Sequence, residues 1–69
     1  MTDAQTSITV EGMTADNIDT IRAALERING VERVIVNPEN KKVIIEYDDE
    51  KINEQLIKET IEDEGFIVR

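Results

Sequence analysis

The sequence has 69 residues and a formal net charge of -8, from 16 acidic and 8 basic side chains. This length allows one domain at most, and so acidic a chain lacks the basic face that nucleic acids and anionic membranes require. Because it contains no cysteine and no histidine, disulfides and the usual zinc, copper and iron ligands are excluded.

Residues 1–5 are polar and predict a flexible tail ahead of a single domain over residues 6–69. The tail lacks the basic start and apolar run of a signal peptide, and no apolar stretch reaches the roughly 20 residues of a membrane span. We therefore expect a soluble, cytoplasmic protein without membrane insertion.

A strand, a loop and a helix are predicted next. Residues 6–11 alternate, with Ile8 and Val10 on one face, as in a half-buried strand. A helix is expected over about residues 15–28, because its apolar residues recur at the spacing of a single stripe. The stripe consists of Ile18, Ile21, Leu25 and Ile28.

The loop before this helix has the residues of a helix start. Thr14 is expected to be the N-cap, with Met13 and Ile18 spaced as a hydrophobic staple across it. At the other end, Gly30 is expected to take a left-handed conformation and to stop the helix.

The middle of the sequence predicts a hairpin. Its strands cover residues 31–37 and 41–48, and Asn40 in the turn tolerates a left-handed conformation. The pairing that this turn imposes puts Ile35 opposite Ile44 on the outer face of the sheet.

A second helix is expected from the N-cap Asn53 to about Glu64. Its core-facing residues are Leu56, Ile57, Thr60 and Ile61. A short strand over residues 66–68 then turns Phe66 inward.

The order of elements is strand, helix, strand, strand, helix, strand. Right-handed crossovers put both helices on one face of a four-stranded antiparallel sheet. The sequence therefore predicts an α+β, ferredoxin-like βαββαβ sandwich with strand order 4-1-3-2.

Two segments, Gly12-Met13-Thr14 and Ile61-Glu62-Asp63-Glu64-Gly65-Phe66, resemble the heavy-metal-associated domain family. The resemblance covers about residues 6–68. That family includes small copper chaperones and the N-terminal modules of metal-transporting ATPases, and its loop reads Gly-Met-Thr/Ser-Cys-x-x-Cys. This sequence has Ala15 and Ile18 in place of the two thiols.

With both thiols replaced, the resemblance implies a non-catalytic scaffold or protein-docking module that holds no cofactor and does not bind copper(I) or zinc tightly. By the same resemblance, its partner is a metal-transporting ATPase or a like domain. The predicted docking loop consists of Met13, Thr14, Ala15, Ile18 and Phe66. No catalytic motif is present, since the sequence has no Gly-rich phosphate loop and no nucleophile with a matched base.

The outer face of the sheet is a second candidate interface, for a partner or for a weak dimer of an otherwise monomeric protein. Ile35, Ile44 and Ile67 are expected there, nearly in a row with Thr9, and an apolar patch of that kind can mark a binding face. The plainer explanation is that branched residues suit strands even on an exposed face.

Two other functional hypotheses stay open at this point. The tidy capping and patterning also fit an engineered or redesigned scaffold without a natural ligand. Alternatively, Asp16, Asp19 and Thr14 could supply oxygens, and Met13 a thioether, for a weak metal site.

Overall fold

The computed structural model describes residues 3–69 and confirms the predicted ferredoxin-like sandwich. Its elements are β1 (Asp3–Glu11), α1 (Ile18–Glu26), β2 (Val31–Asn37), β3 (Lys42–Asp48), α2 (Glu54–Asp63) and β4 (Ile67–Val68). The strands lie in the order β2-β3-β1-β4. This is the predicted order counted from the opposite edge of the sheet.

One apolar cluster joins the inner face of the sheet to both helices. It contains Ile8, Val10, Ile21, Leu25, Val43, Ile45, Tyr47, Ile57 and Ile61. Burying an aliphatic side chain of this size stabilises a fold by about 1.5–3 kcal/mol. With no disulfide available, this packing is what holds the sheet and the helices together.

Strand β1 begins earlier than the sequence predicts. Residues 3–5, assigned to the flexible tail, pair with β3, with Asp3 opposite Asp48 and Ala4 opposite Tyr47. Ala4 packs against the core, so even this small apolar side chain extends the inward alternation by one position. The remaining residues of the expected tail, 1–2, lie outside the described residues.

Helix α1 is shorter than the expected 15–28. Residues 15–17 form a turn instead, in which the Thr14 carbonyl accepts the N–H groups of Asn17 and Ile18 at 3.1 and 3.2 Å. Asn17 therefore occupies the N-cap position, and the assignment of Thr14 as N-cap was wrong. The stripe is buried at Ile21 and Leu25.

The hairpin has the predicted register, with Ile35 opposite Ile44. Its left-handed residue is Lys41, with φ of 58°, and not Asn40. Loops of this length are most often built on a type I turn, followed by one left-handed residue at the entry to the next strand. In this hairpin that position falls on Lys41, because β3 begins at Lys42.

Strand β2 contains a bulge that the alternation did not reveal. Val31 lies opposite Tyr47, whereas Arg33 lies opposite Glu46, so Glu32 is the extra residue. Strict alternation from the inward Val34 would have aimed Glu32 at the core. The bulge leaves Glu32 exposed.

Helix α2 has the predicted cap, because the Asn53 side chain accepts the N–H of Leu56 at 2.9 Å. Ile57 and Ile61, four residues apart, are the fully buried pair. Leu56 was expected in the core but is 40% exposed, since it lies about 100° around the helix from Ile57.

Candidate functional site

The loop between β1 and α1 lies against the segment that follows α2. Gly12 has φ of 93°, and a methyl group on its Cα would lie 3.8 Å from Cδ1 of Phe66. The ring of Phe66 is half-buried and packs against the core. The fold thus places Phe66 beside Gly12, the residue that precedes Met13 of the predicted docking loop.

Asn17 holds this loop in shape. Its Oδ1 accepts the backbone N–H of Thr14 at 2.7 Å, and its Nδ2 donates to the carbonyl of Gly12 at 3.0 Å. Asn17 was not among the predicted site residues. The available signal was its side chain, since asparagine at a helix entry commonly bonds to nearby backbone groups.

The other docking-loop residues differ in exposure. Thr14 and Ala15 are exposed, whereas Met13 and Ile18 are half-buried. Met13 packs against the core. With Asn17 as the N-cap, however, the residue before the cap is Asp16 and not Met13, so the predicted staple between Met13 and Ile18 was wrong. The loop therefore offers solvent the side chains of Thr14 and Ala15 and parts of Met13 and Ile18.

The nearby carboxylates do not converge on a point. Asp16 is exposed, and Asp19 lies 3.9 Å from the Arg22 guanidinium with 89% of its side chain exposed. Across residues 3–69, no group of three or more aspartate, glutamate, cysteine or histidine residues is placed to hold a metal ion.

An open groove of about 320 Å³ runs beside α1. Its lining consists of Asp19, Thr20, Ala23, Ala24, Arg27 and Glu64. The small side chains on α1 leave the space, and charges of both signs border it. This groove could not be predicted from the sequence, because it depends on where α2 ends relative to α1.

The outer face of the sheet keeps only part of the expected isoleucine row. Ile44 lies opposite Ser7, but Ile67 lies opposite Glu11, four residues further along β1. Because of this offset, Ile67, which is 59% exposed, stands apart from the pair formed by Ile35 and Ile44.

The match to the heavy-metal-associated domain covers residues 7–66. The chain belongs to the heavy-metal-associated domain family. It is 38% identical over 66 residues to the copper chaperone CopZ of Staphylococcus aureus. The aligned residues make up 94% of this chain and 97% of that protein.

Solved structures agree with this family assignment. The CopZ metallochaperone superimposes with a TM-score of 0.92 at 37% identity, over 96% of this chain and all of that one. A copper-binding domain of a P-type ATPase gives a TM-score of 0.89 at 33% identity, over 94% of this chain and 89% of that domain.

In this member of the heavy-metal-associated family, the two thiol positions hold Ala15 and Ile18. A methyl group and a branched hydrocarbon have no donor atom for a soft ion. Met13 supplies a single thioether, already packed against the core. The residues of the loop therefore do not fit the metal cargo that the family pattern binds through two thiolates.

Proposed function

We propose that this chain is a non-catalytic docking module that keeps the scaffold of the heavy-metal-associated family and does not bind copper(I) or zinc tightly. The observation that carries the proposal is the loop itself. Both thiol positions are hydrocarbon, while Asn17 holds the loop closed with two hydrogen bonds of its own. The loop thus has a defined shape that does not depend on a metal.

The partner that this proposal favours is another protein, either a metal-transporting ATPase or a like domain. The similarity to a copper-binding domain of a P-type ATPase supports this choice. The docking surface consists of the exposed Thr14 and Ala15 with the edges of Met13, Ile18 and Phe66. A net charge of -8 disfavours nucleic acid as a partner.

We infer a cytoplasmic location from the similarity to a small copper chaperone. Over the described residues, none of the helices has the length and apolar character needed to cross a membrane.

A copper(I) titration under reducing conditions, in competition with a chromogenic chelator, tests the metal-binding part of the proposal. The wild-type chain is expected to leave the chelator loaded. A matched Ala15→Cys/Ile18→Cys variant restores both thiols at the family positions and is expected to take up one copper(I) ion. Stoichiometric uptake by the wild-type chain would overturn the proposal.

The docking part is tested by adding a copper-ATPase heavy-metal-associated domain to the ¹⁵N-labelled chain. Amide shifts are expected around Thr14 and Ala15, and an Ala15→Asp variant is expected to reduce them. An unchanged spectrum at millimolar partner would rule out docking to this class of domain.

A further inference from the structure

The outer face of the sheet carries an apolar pair between a basic end and an acidic end. Ile35 and Ile44 lie opposite each other on neighbouring strands, and Ile35 is 37% exposed. Two residues from Ile44 on either side, β3 carries Lys42 and Glu46 on the same face. Charges of opposite sign thus border the isoleucine pair along one strand.

At the basic end, Lys42 donates to Thr9 Oγ1 at 2.5 Å. Within residues 3–69 Lys42 has no ion pair to a carboxylate, whereas Arg69, which follows the edge strand β4, pairs with Glu11. The ammonium of Lys42 therefore has a neutral partner and keeps donors for an approaching acid.

The acidic end continues from Glu46 through Asp48, which lies opposite Asp3. A hydrogen bond with Asp3, then desolvation, then the charges of Asp3, Asp48 and Glu46 raise the pKa of Glu32 in the adjoining bulge. Arg33, opposite Glu46, leaves this end with an excess of negative charge. A cation placed over it would relieve this repulsion.

We propose that this face associates with the same face of a second copy of the chain, with the strands of the two copies antiparallel and Ile44 nearest the two-fold axis. A rotation about an axis across the strands sets Lys42 of each copy over Glu46 of the other. The isoleucine pairs then meet at the centre. A rotation about an axis along the strands would stack lysine on lysine, so the charges select one arrangement.

The association is weak. The principal extents of the molecule are 34, 20 and 19 Å, so two sheets packed face to face bury about 1,000 Å² in total, near the lower limit for specific interfaces. The net charge of -8 on each copy opposes association as well. This interface lies on the side of the sheet away from the helices and does not depend on the proposed docking loop.

Sedimentation equilibrium from about 20 µM to about 1 mM protein, in roughly 0.15 M salt, tests the dimer. The wild-type chain is expected to dimerise in this range. Lys42→Glu and Glu46→Lys, measured separately, are each expected to weaken association by about tenfold or more, because each homodimer then opposes like charges twice.

An equimolar mixture of these two variants decides between this interface and any other. In the mixed dimer each substituted residue faces a residue of opposite charge, so association is expected to return to the wild-type level. Glu59→Lys changes the net charge as Glu46→Lys does, but it lies on the exposed side of α2, so it should not weaken the dimer.

Circular dichroism of each variant verifies that the fold is kept. A wild-type chain that stays monomeric at about 1 mM overturns the proposal. A mixture that associates no better than its two components also overturns it, since Lys42 and Glu46 would then not face each other in the dimer. Neither result affects the copper titration or the docking-loop titration.

Discussion

Lys41 is held in a conformation that L-residues rarely adopt. Among residues 3–69 it is the one non-glycine residue with a positive φ, at 58°. Its carbonyl accepts the Val10 N–H at 2.8 Å, so the strained residue also joins the hairpin to β1. The left-handed region costs an L-residue roughly 1–2 kcal/mol.

Lys41→Gly is therefore expected to increase the free energy of unfolding by about 0.5–1 kcal/mol, because glycine adopts this φ without a Cβ clash. The gain is partly offset by the greater conformational entropy of glycine in the unfolded chain. Urea denaturation measures the change. The matched variant is Asn40→Gly, whose site has no positive φ and which should be neutral or destabilising. A larger gain at position 40 would contradict the assignment of the strained residue.

The role of Asn17 in holding the candidate site was not predicted from the sequence. The family-like motif and the apolar spacing predicted a loop and a helix here, and both exist. The hydrogen bonds to Thr14 and Gly12 depend on the exact residue at which the helix begins. A shift of three residues in that boundary moves the cap from Thr14 to Asn17.

The two helices start in physically different ways. At α2, the Asn53 side chain accepts the N–H of Leu56, three residues on. At α1, the N-cap residue Asn17 makes no side-chain bond to the first turn, because its amide group points back to the loop. The backbone carbonyl of Thr14 takes the N–H groups of the entry turn instead.

Asn53→Ala is accordingly expected to lower the free energy of unfolding by about 1 kcal/mol, the usual effect of removing a side-chain cap. Thr14→Ala keeps the backbone carbonyl that accepts the N–H groups at the start of α1. This variant should therefore change the free energy of unfolding by less than about 0.5 kcal/mol. Chemical denaturation of both variants distinguishes the two starts. Equal losses would mean that the Thr14 hydroxyl caps α1 after all.

Elements with a strong apolar period were predictable, and irregularities within them were not. The alternation in β3 and the Ile57–Ile61 spacing in α2 set the core directly. The bulge at Glu32 reverses the alternation of β2 for one residue, and its origin is the need to keep both Val31 and Val34 on the core side. Such a conflict becomes visible only when the partner strand is in place.

Across the whole molecule, acidic side chains outnumber basic ones by two to one, and several of them meet at one end of the sheet. Glu32 lies there with Asp3, Asp48 and Glu46, and their combined effect raises its pKa above the ordinary value of 4.5. Because the folded state holds this proton more tightly than the unfolded state, stability falls as the pH rises from 4.5 through the raised pKa.

Glu32→Gln removes this charge and keeps a side chain that can hydrogen-bond to Asp3. The variant is expected to have a higher urea midpoint than the wild-type chain at pH 7. Below the ordinary pKa the two should be nearly equal, because the glutamate is then protonated in both states. Urea unfolding from pH 4 to pH 7 measures this difference, with Glu59→Gln on the exposed side of α2 as the control. A gain that does not depend on pH would show that the bulge gains from the amide itself and not from the loss of negative charge at the acidic end of the sheet.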